Sequence, residues 1–144
     1  MTPSDAAITA WARLMRAQQM ALNRLELALK KADLPPPLWH DLLLELERAG
    51  GRGMRPAELE QRLPIAQYNL SRLLDRMERD GLVRRAAFSG DARGQVVEIT
   101  PRGRGVQQLM WPIYTATIQA LIGERLSEAE ATMLSSLLGW LVDA

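Results

Sequence analysis

The chain has 144 residues, 18 Lys and Arg against 17 Asp and Glu, a formal charge of +1 and 47% apolar residues. That is one domain's worth of chain, with enough apolar content for a core and a subunit interface, and it should fold without cofactor, metal or disulfide. The absence of cysteine excludes a thiol redox switch, a cysteine zinc site and a disulfide framework, and fits a cytoplasmic location. No apolar run is long enough to span a bilayer and no basic start precedes an apolar signal core, so no membrane partner is expected.

Ser4 to about Ala32 reads as one helix, with Ile8, Trp11, Met15, Leu22, Leu25 and Leu29 at helical spacing. Its length exceeds what a small globular lobe needs. Asp33 to Pro37 holds three successive prolines, which are expected to stop the helix and set an extended corner. A second helix, about Leu38 to Ala49, turns Leu42, Leu43 and Leu46 inward. The GGRG stretch, residues 50 to 53, is a turn. Met54 and Arg55 are expected to form a short strand, and Pro56 suits the first position of a helix ending near Leu63.

The stretch from Ile65 to Asp80 predicts an amphipathic helix. Ala66, Leu70, Leu73, Leu74 and Met77 fall on its core side. The opposite side is centred on Tyr68, Arg72, Asp75 and Arg79, flanked by Gln67, Asn69, Ser71 and Arg76, a face of donors, an aromatic ring and guanidinium groups suited to a groove of DNA. Gly81 supplies the left-handed position that ends a helix. The period then changes: Leu82 to Ala87 and Gln95 to Ile99 are two short strands around a turn-forming SGDARG. Helix, turn, helix and hairpin make a winged helix-turn-helix, so the fold class is mainly α with a small β-hairpin wing.

Beyond the wing, Thr100 and Pro101 predict a cap and first turn. The helix they start carries Val106, Leu109, Met110, Ile113, Thr117 and Leu121 to about Gly123, with Pro112 expected to bend it. Ser127 with Glu130 predicts a capping box for a last helix striped by Met133, Leu134, Leu137, Leu138 and Leu141. The end helices have apolar faces that need cover, and a second copy of the chain is the economical partner. The single domain, 1 to 144, therefore divides into a DNA-reading lobe at about 36 to 100 and dimerisation arms at about 4 to 32 and 101 to 142.

Charge is uneven along the chain. Residues 1 to 51 carry six basic and six acidic groups, 52 to 104 carry eleven and seven, and 105 to 144 carry one and four. The positive surplus sits on the segment with the predicted recognition helix and wing, as attraction to phosphate requires.

Three motifs carry a resemblance to a known family: SRLLDRMERDGLVRR from Ser71 to Arg85, DAR from Asp91 to Arg93, and VEITPRG from Val97 to Gly103. In this order and spacing they resemble the multiple antibiotic resistance regulators, MarR for short, with coarser similarity over nearly the whole chain. Ala66 and Asn69 stand where that family often has hydroxyl residues, and Phe88 is an apolar residue at the wing's base. The resemblance implies a dimer whose recognition helix enters a major groove through Arg72 and whose wing arginine, Arg93, reaches a minor groove, with Asp75 and Asp91 as wing support. It also implies a repressor acting on double-stranded DNA at an inverted-repeat operator, loosened by a small aromatic or anionic effector. Trp11, Trp39, His40 and Trp111 are candidates to line the effector's pocket.

No catalytic constellation is present: His40 is the only histidine, and no phosphate loop or carboxylate pair stands at a meaningful spacing. A metal site would need partners the chain does not display, so His40 is expected to be a structural residue on a helix surface or partly buried. The alternative to a DNA-binding regulator is a winged helix that keeps the shape and binds another protein. Loss of duplex binding with salt discriminates the two.

Overall fold

The computed structural model describes residues 1–65, 67–88 and 91–143; the side chains of residues 67, 68, 88 and 91–93 lie outside the description. The elements are α1 (Asp5–Lys31), α2 (Pro37–Ala49), α3 (Pro56–Arg62), α4 (Gln67–Arg79), β1 (Val83–Phe88), β2 (Asp91–Ile99), α5 (Pro101–Ile118) and α6 (Glu128–Val142). The chain forms two compact units, one of Leu29–Trp111 and one of Met1–Ala28 with Pro112–Ala144.

The Leu29–Trp111 unit holds the core. Leu42, Leu43 and Leu46 of α2, Leu59 of α3, Leu70, Leu73, Leu74 and Met77 of α4, and Val83, Val97 and Ile99 of the hairpin form one buried cluster. The helices that meet there begin and end where local chemistry dictates. Helix α1 ends at Lys31, close to the expected Ala32: Asp33 takes a left-handed φ of 59°, and Leu34 N–H returns to Leu29 C=O at 2.9 Å, which closes the last turn. The prolines instead open α2, with Pro36 extended as its cap and Pro37 in the first turn. At the start of α3, Arg55 N–H donates to Glu58 Oε1 at 3.2 Å. Gly81, at φ 78°, ends α4, and Leu82 N–H reaches Met77 C=O at 2.9 Å.

The hairpin is antiparallel, pairing Val83 with Ile99, Arg84 with Glu98 and Arg85 with Val97, with a bulge between Ala87 and Phe88. Strand β2 starts at Asp91, which stands opposite Phe88, so DAR of the expected turn segment lies within the strand; the residues between Asp91 and Gln95 are the extra ones that the bulge takes up. The expected strand at Met54 and Arg55 is a single bridge, Met54 to Val97. Arg55 is already committed to capping α3, which shortens the strand to one residue. Gly53 makes the bridge possible, since a Cβ there would stand 2.7 Å from Val97 C=O.

Thr100 fastens the wing's root. Its hydroxyl donates to Gly81 C=O at 2.6 Å and accepts from Gly103 N–H at 3.0 Å, so one side chain joins the end of α4 to the start of α5.

In the other unit, α5 is continued by a π turn at Gln119–Gly123, in which Glu124 N–H bonds Gln119 C=O at 2.8 Å, in place of the plain α-helical ending expected. Ser127 and Glu130 form the predicted capping box, at 3.1 and 2.9 Å. The bonds from Ser127 hold the Glu130 carboxyl below its usual pKa by favouring its charged form. None of this unit's described residues is buried. Its large apolar side chains, Trp11, Met133, Trp140 and Leu141 among them, are exposed.

Candidate nucleic-acid interface

The helix-turn-helix is α3 followed by α4. Once Leu70, Leu73, Leu74 and Met77 point inward, the 3.6-residue period leaves Asn69, Ser71, Arg72, Asp75, Arg76 and Arg79 exposed on the outer face. The side chains of the other expected contacts, Gln67 and Tyr68 on α4 and Asp91 and Arg93 in the wing, lie outside the described residues, as do Ala66 and the Phe88 side chain.

Several guanidinium groups of the lobe are paired, and among the described residues those of α4 are not. Arg84 pairs across the hairpin with Glu98 at 2.8 Å, Arg104 of α5 with Glu47 of α2 at 2.9 Å, and Arg62 of α3 with Glu45 at 3.6 Å. Arg72, Arg76 and Arg79 of α4 have no carboxylate partner among the described residues. The arginines that hold the lobe together are paired, while those on the exposed face of the second helix stay open to an external anion.

Asp75 lies at the middle of that face, and its partner comes from the wing: Arg85 Nη1 stands 2.8 Å from Asp75 Oδ1 and 3.9 Å from Glu78 Oε1. The Arg85 backbone N–H donates to Glu78 Oε2 at 3.0 Å, and Nη2 lies 3.4 Å from Ser71 C=O. Reading along the sequence did not single out Arg85. Its signal is the strand period: two residues after the buried Val83, Arg85 falls on the side of the hairpin that faces α4, where a cation requires a carboxylate.

The four residues expected around a ligand pocket are placed differently from one another. His40 is 1% exposed, more buried than expected, because Trp111 covers it: the rings stack 5.9 Å apart at 8°. Gln107 Nε2 lies 3.4 Å from His40 Nε2. Trp39 packs against the lobe's core, and Trp11 belongs to the other unit, where it is exposed. An open depression of about 330 Å³ lies between α2 and α5, lined by Leu44, Arg48, Gln107, Gln108 and Trp111. It combines an aromatic edge, two amides and a guanidinium. Among the described residues no group of three or more His, Asp or Glu could hold a metal ion, and no helix is long and apolar enough to cross a membrane.

A family model described as the MarR family matches residues 32–94, the stretch from the end of α1 into the wing. The HTH-type transcriptional repressor YetL of Bacillus subtilis is 30% identical over 98 residues, which cover 68% of this chain and 58% of that protein. Sco3205 of Streptomyces coelicolor, a MarR family transcriptional regulator solved in complex with DNA, has a TM-score of 0.90 at 22% identity, covering 99% of this chain and 89% of that one. BpsR of Bordetella bronchiseptica, in a structure concerned with regulation of its DNA binding by 6-hydroxynicotinic acid, has a TM-score of 0.82 at 22% identity, covering 99% of both chains. The MarR family match thus runs through the helix-turn-helix into the wing, and the chain shares the winged-helix fold of a MarR family regulator along nearly its whole length.

Proposed function

We propose that the chain is a non-enzymatic, dimeric regulator of transcription in the cytoplasm that binds double-stranded DNA sequence-specifically through α4 and the wing, and that it represses. The observation that carries this reading is the set of open arginines, Arg72, Arg76 and Arg79, on the exposed face of the second helix of a helix-turn-helix. The relatives support it: one is named a repressor and another was solved with DNA. Arg76 and Arg79 are disposed for phosphate, and Asn69, Ser71 and Arg72 for base edges. Arg93 and Asp91 complete the reading at the wing, Arg93 as the minor-groove contact and Asp91 as support for the turn.

Titration with random duplex DNA at low salt tests the reading: binding is expected, and its affinity falls steeply as salt rises. Salt-insensitive or absent binding would favour a protein-interaction module. Selection from a random duplex pool should then return an inverted repeat with half-sites roughly 34 Å apart.

Arg72 projects from the middle of the open face, with the reach to pair bidentately with a guanine edge. Arg72→Ala is expected to cost about 1–3 kcal/mol of binding and to relax preference at one position per half-site. An equal loss on every sequence would reassign Arg72 to phosphate.

The dimer rests on the unit of Met1–Ala28 and Pro112–Ala144, which buries none of its described residues and exposes large apolar ones. An effector of aromatic, anionic character suits the depression beside Trp111 and Arg48, and a relative regulated by a hydroxynicotinic acid supports that class. To act, it must bind the DNA-incompetent state more tightly than the competent one. Aryl carboxylates are expected to quench tryptophan fluorescence and weaken the operator complex together; quenching alone would mark a pocket without regulatory role.

A further inference from the structure

Asp75 stands three residues after Arg72 and four before Arg79. At those separations on a helix an aspartate and an arginine are neighbours and ordinarily attract one another. Neither pair forms among the described residues; the Asp75 carboxylate is taken instead by Arg85 of β1 at 2.8 Å. Arg85 also holds the Glu78 carboxylate, through its backbone N–H at 3.0 Å and its side chain at 3.9 Å. Its side chain is 24% exposed, whereas that of Asp75 is 55% exposed, so the pair reaches from the hairpin's inner face out to the surface that α4 presents.

We infer that Arg85 is a positioning residue for DNA recognition: by occupying Asp75 it keeps that carboxylate off Arg72 and Arg79, and through Asp75 and Glu78 together it fixes the wing against α4. The inference rests on the DNA-binding reading and deepens it by naming what holds the reading arginines open. The two acidic side chains on a phosphate-facing helix would otherwise repel the duplex, and Asp75 would also pair with the groups meant for it. Arg85 removes both effects with one planar guanidinium, whose fork lets it approach Asp75 and Ser71 C=O together. Asp75 is then held away from base reading, although an aspartate on such a face can accept from a cytosine amine.

The geometry separates this role from plain structural support. If Arg85 only braces the hairpin, deleting Asp75 after Arg85 leaves binding as weak or weaker. If Arg85 restrains Asp75, deleting both frees Arg72 and Arg79 again.

The test is a double-mutant comparison in the full chain, on duplexes selected from a random pool and on random duplex, at several salt concentrations. Each variant is first checked for a folded circular dichroism spectrum at the working temperature. Arg85→Ala is expected to lose about tenfold in affinity on all duplexes and to blur the base preference assigned to Arg72. Arg85→Ala with Asp75→Ala should bind about threefold more tightly than Arg85→Ala alone, the reverse of what two lost supports give. Arg85→Lys, which keeps the charge and loses the fork, should fall between wild type and Arg85→Ala, and serves as the comparison if Arg85→Ala does not fold. A double variant no tighter than Arg85→Ala, or Arg85→Ala as tight as wild type, overturns the inference while leaving the DNA-binding reading in place. A wild-type chain with no salt-dependent duplex binding overturns both.

Discussion

Gly103→Ala is expected to lower the stability of the fold by about 2–3 kcal/mol, although alanine is the better helix former. Gly103 is buried in the first turn of α5. A Cβ there would overlap the Leu82 carbonyl oxygen and stand 2.9 Å from Ile99 Cγ1. Neither neighbour can withdraw cheaply. The Leu82 carbonyl accepts from Thr100 N–H at 3.1 Å, and the Thr100 hydroxyl is tied to Gly81 C=O and Gly103 N–H. Making room means pulling α5 from the wing's root or breaking that bond. Gly105, two residues on, is the control: nothing lies within 4 Å of a Cβ there, so Gly105→Ala should be neutral or stabilise by up to about 1 kcal/mol. Urea unfolding of both variants reads the difference directly. Equal midpoints would mean that α5 shifts freely at its start, and Thr100 would not fasten the wing.

The features legible in the sequence are those set by local chemistry with a short reach. The core face of α4 follows from apolar spacing alone, and Leu70, Leu73, Leu74 and Met77 are all buried. Pro56 opens α3, Gly81 closes α4, and Ser127 with Glu130 caps α6, because each needs no more than one helical turn to act. What escaped needed pairing across the chain. Arg85 meets α4 only once the hairpin register is known, and the burial of His40 depends on Trp111, a ring 71 residues later in the sequence that comes to stack on it. The π turn at Gln119–Gly123 has no marker in apolar spacing, since one extra residue in a turn leaves the flanking pattern readable as helix. The corner at Asp33–Pro37 is legible in place but not in cause: the left-handed Asp33 closes α1, and Pro36 and Pro37 pre-set the backbone for α2. The bases and phosphates each α4 side chain meets depend on DNA that neither sequence nor fold contains.

Removing Ser127 to Ala144 is expected to abolish high-affinity binding while leaving the DNA-reading lobe folded. The buried cluster of α2, α3, α4 and the hairpin runs from Leu42 to Ile99, within the unit of Leu29–Trp111, whereas α6 belongs to the other unit. What α6 carries is Met133, Leu137, Trp140, Leu141 and Val142, exposed at 47–80%. An apolar face of this extent on one helix is unusual for a monomer in water and marks an interaction surface. A second copy of the chain offers the same face, and a two-fold arrangement lets each cover the other. Linking two lobes makes the second half-site contact intramolecular, which multiplies affinity by about 10²–10⁴ without any new contact to DNA. The truncated chain should therefore retain weak, salt-sensitive binding to single half-sites, lose about that factor on the inverted repeat, and no longer gain from half-site spacing. Leu137→Glu with Leu141→Glu makes the same test without shortening the chain, by placing two charges where the copies would meet. Sedimentation should show monomers in both cases, and circular dichroism an intact lobe. A monomer with full affinity for the inverted repeat would defeat the dimer, and a dimer that survives both changes would move the interface away from α6.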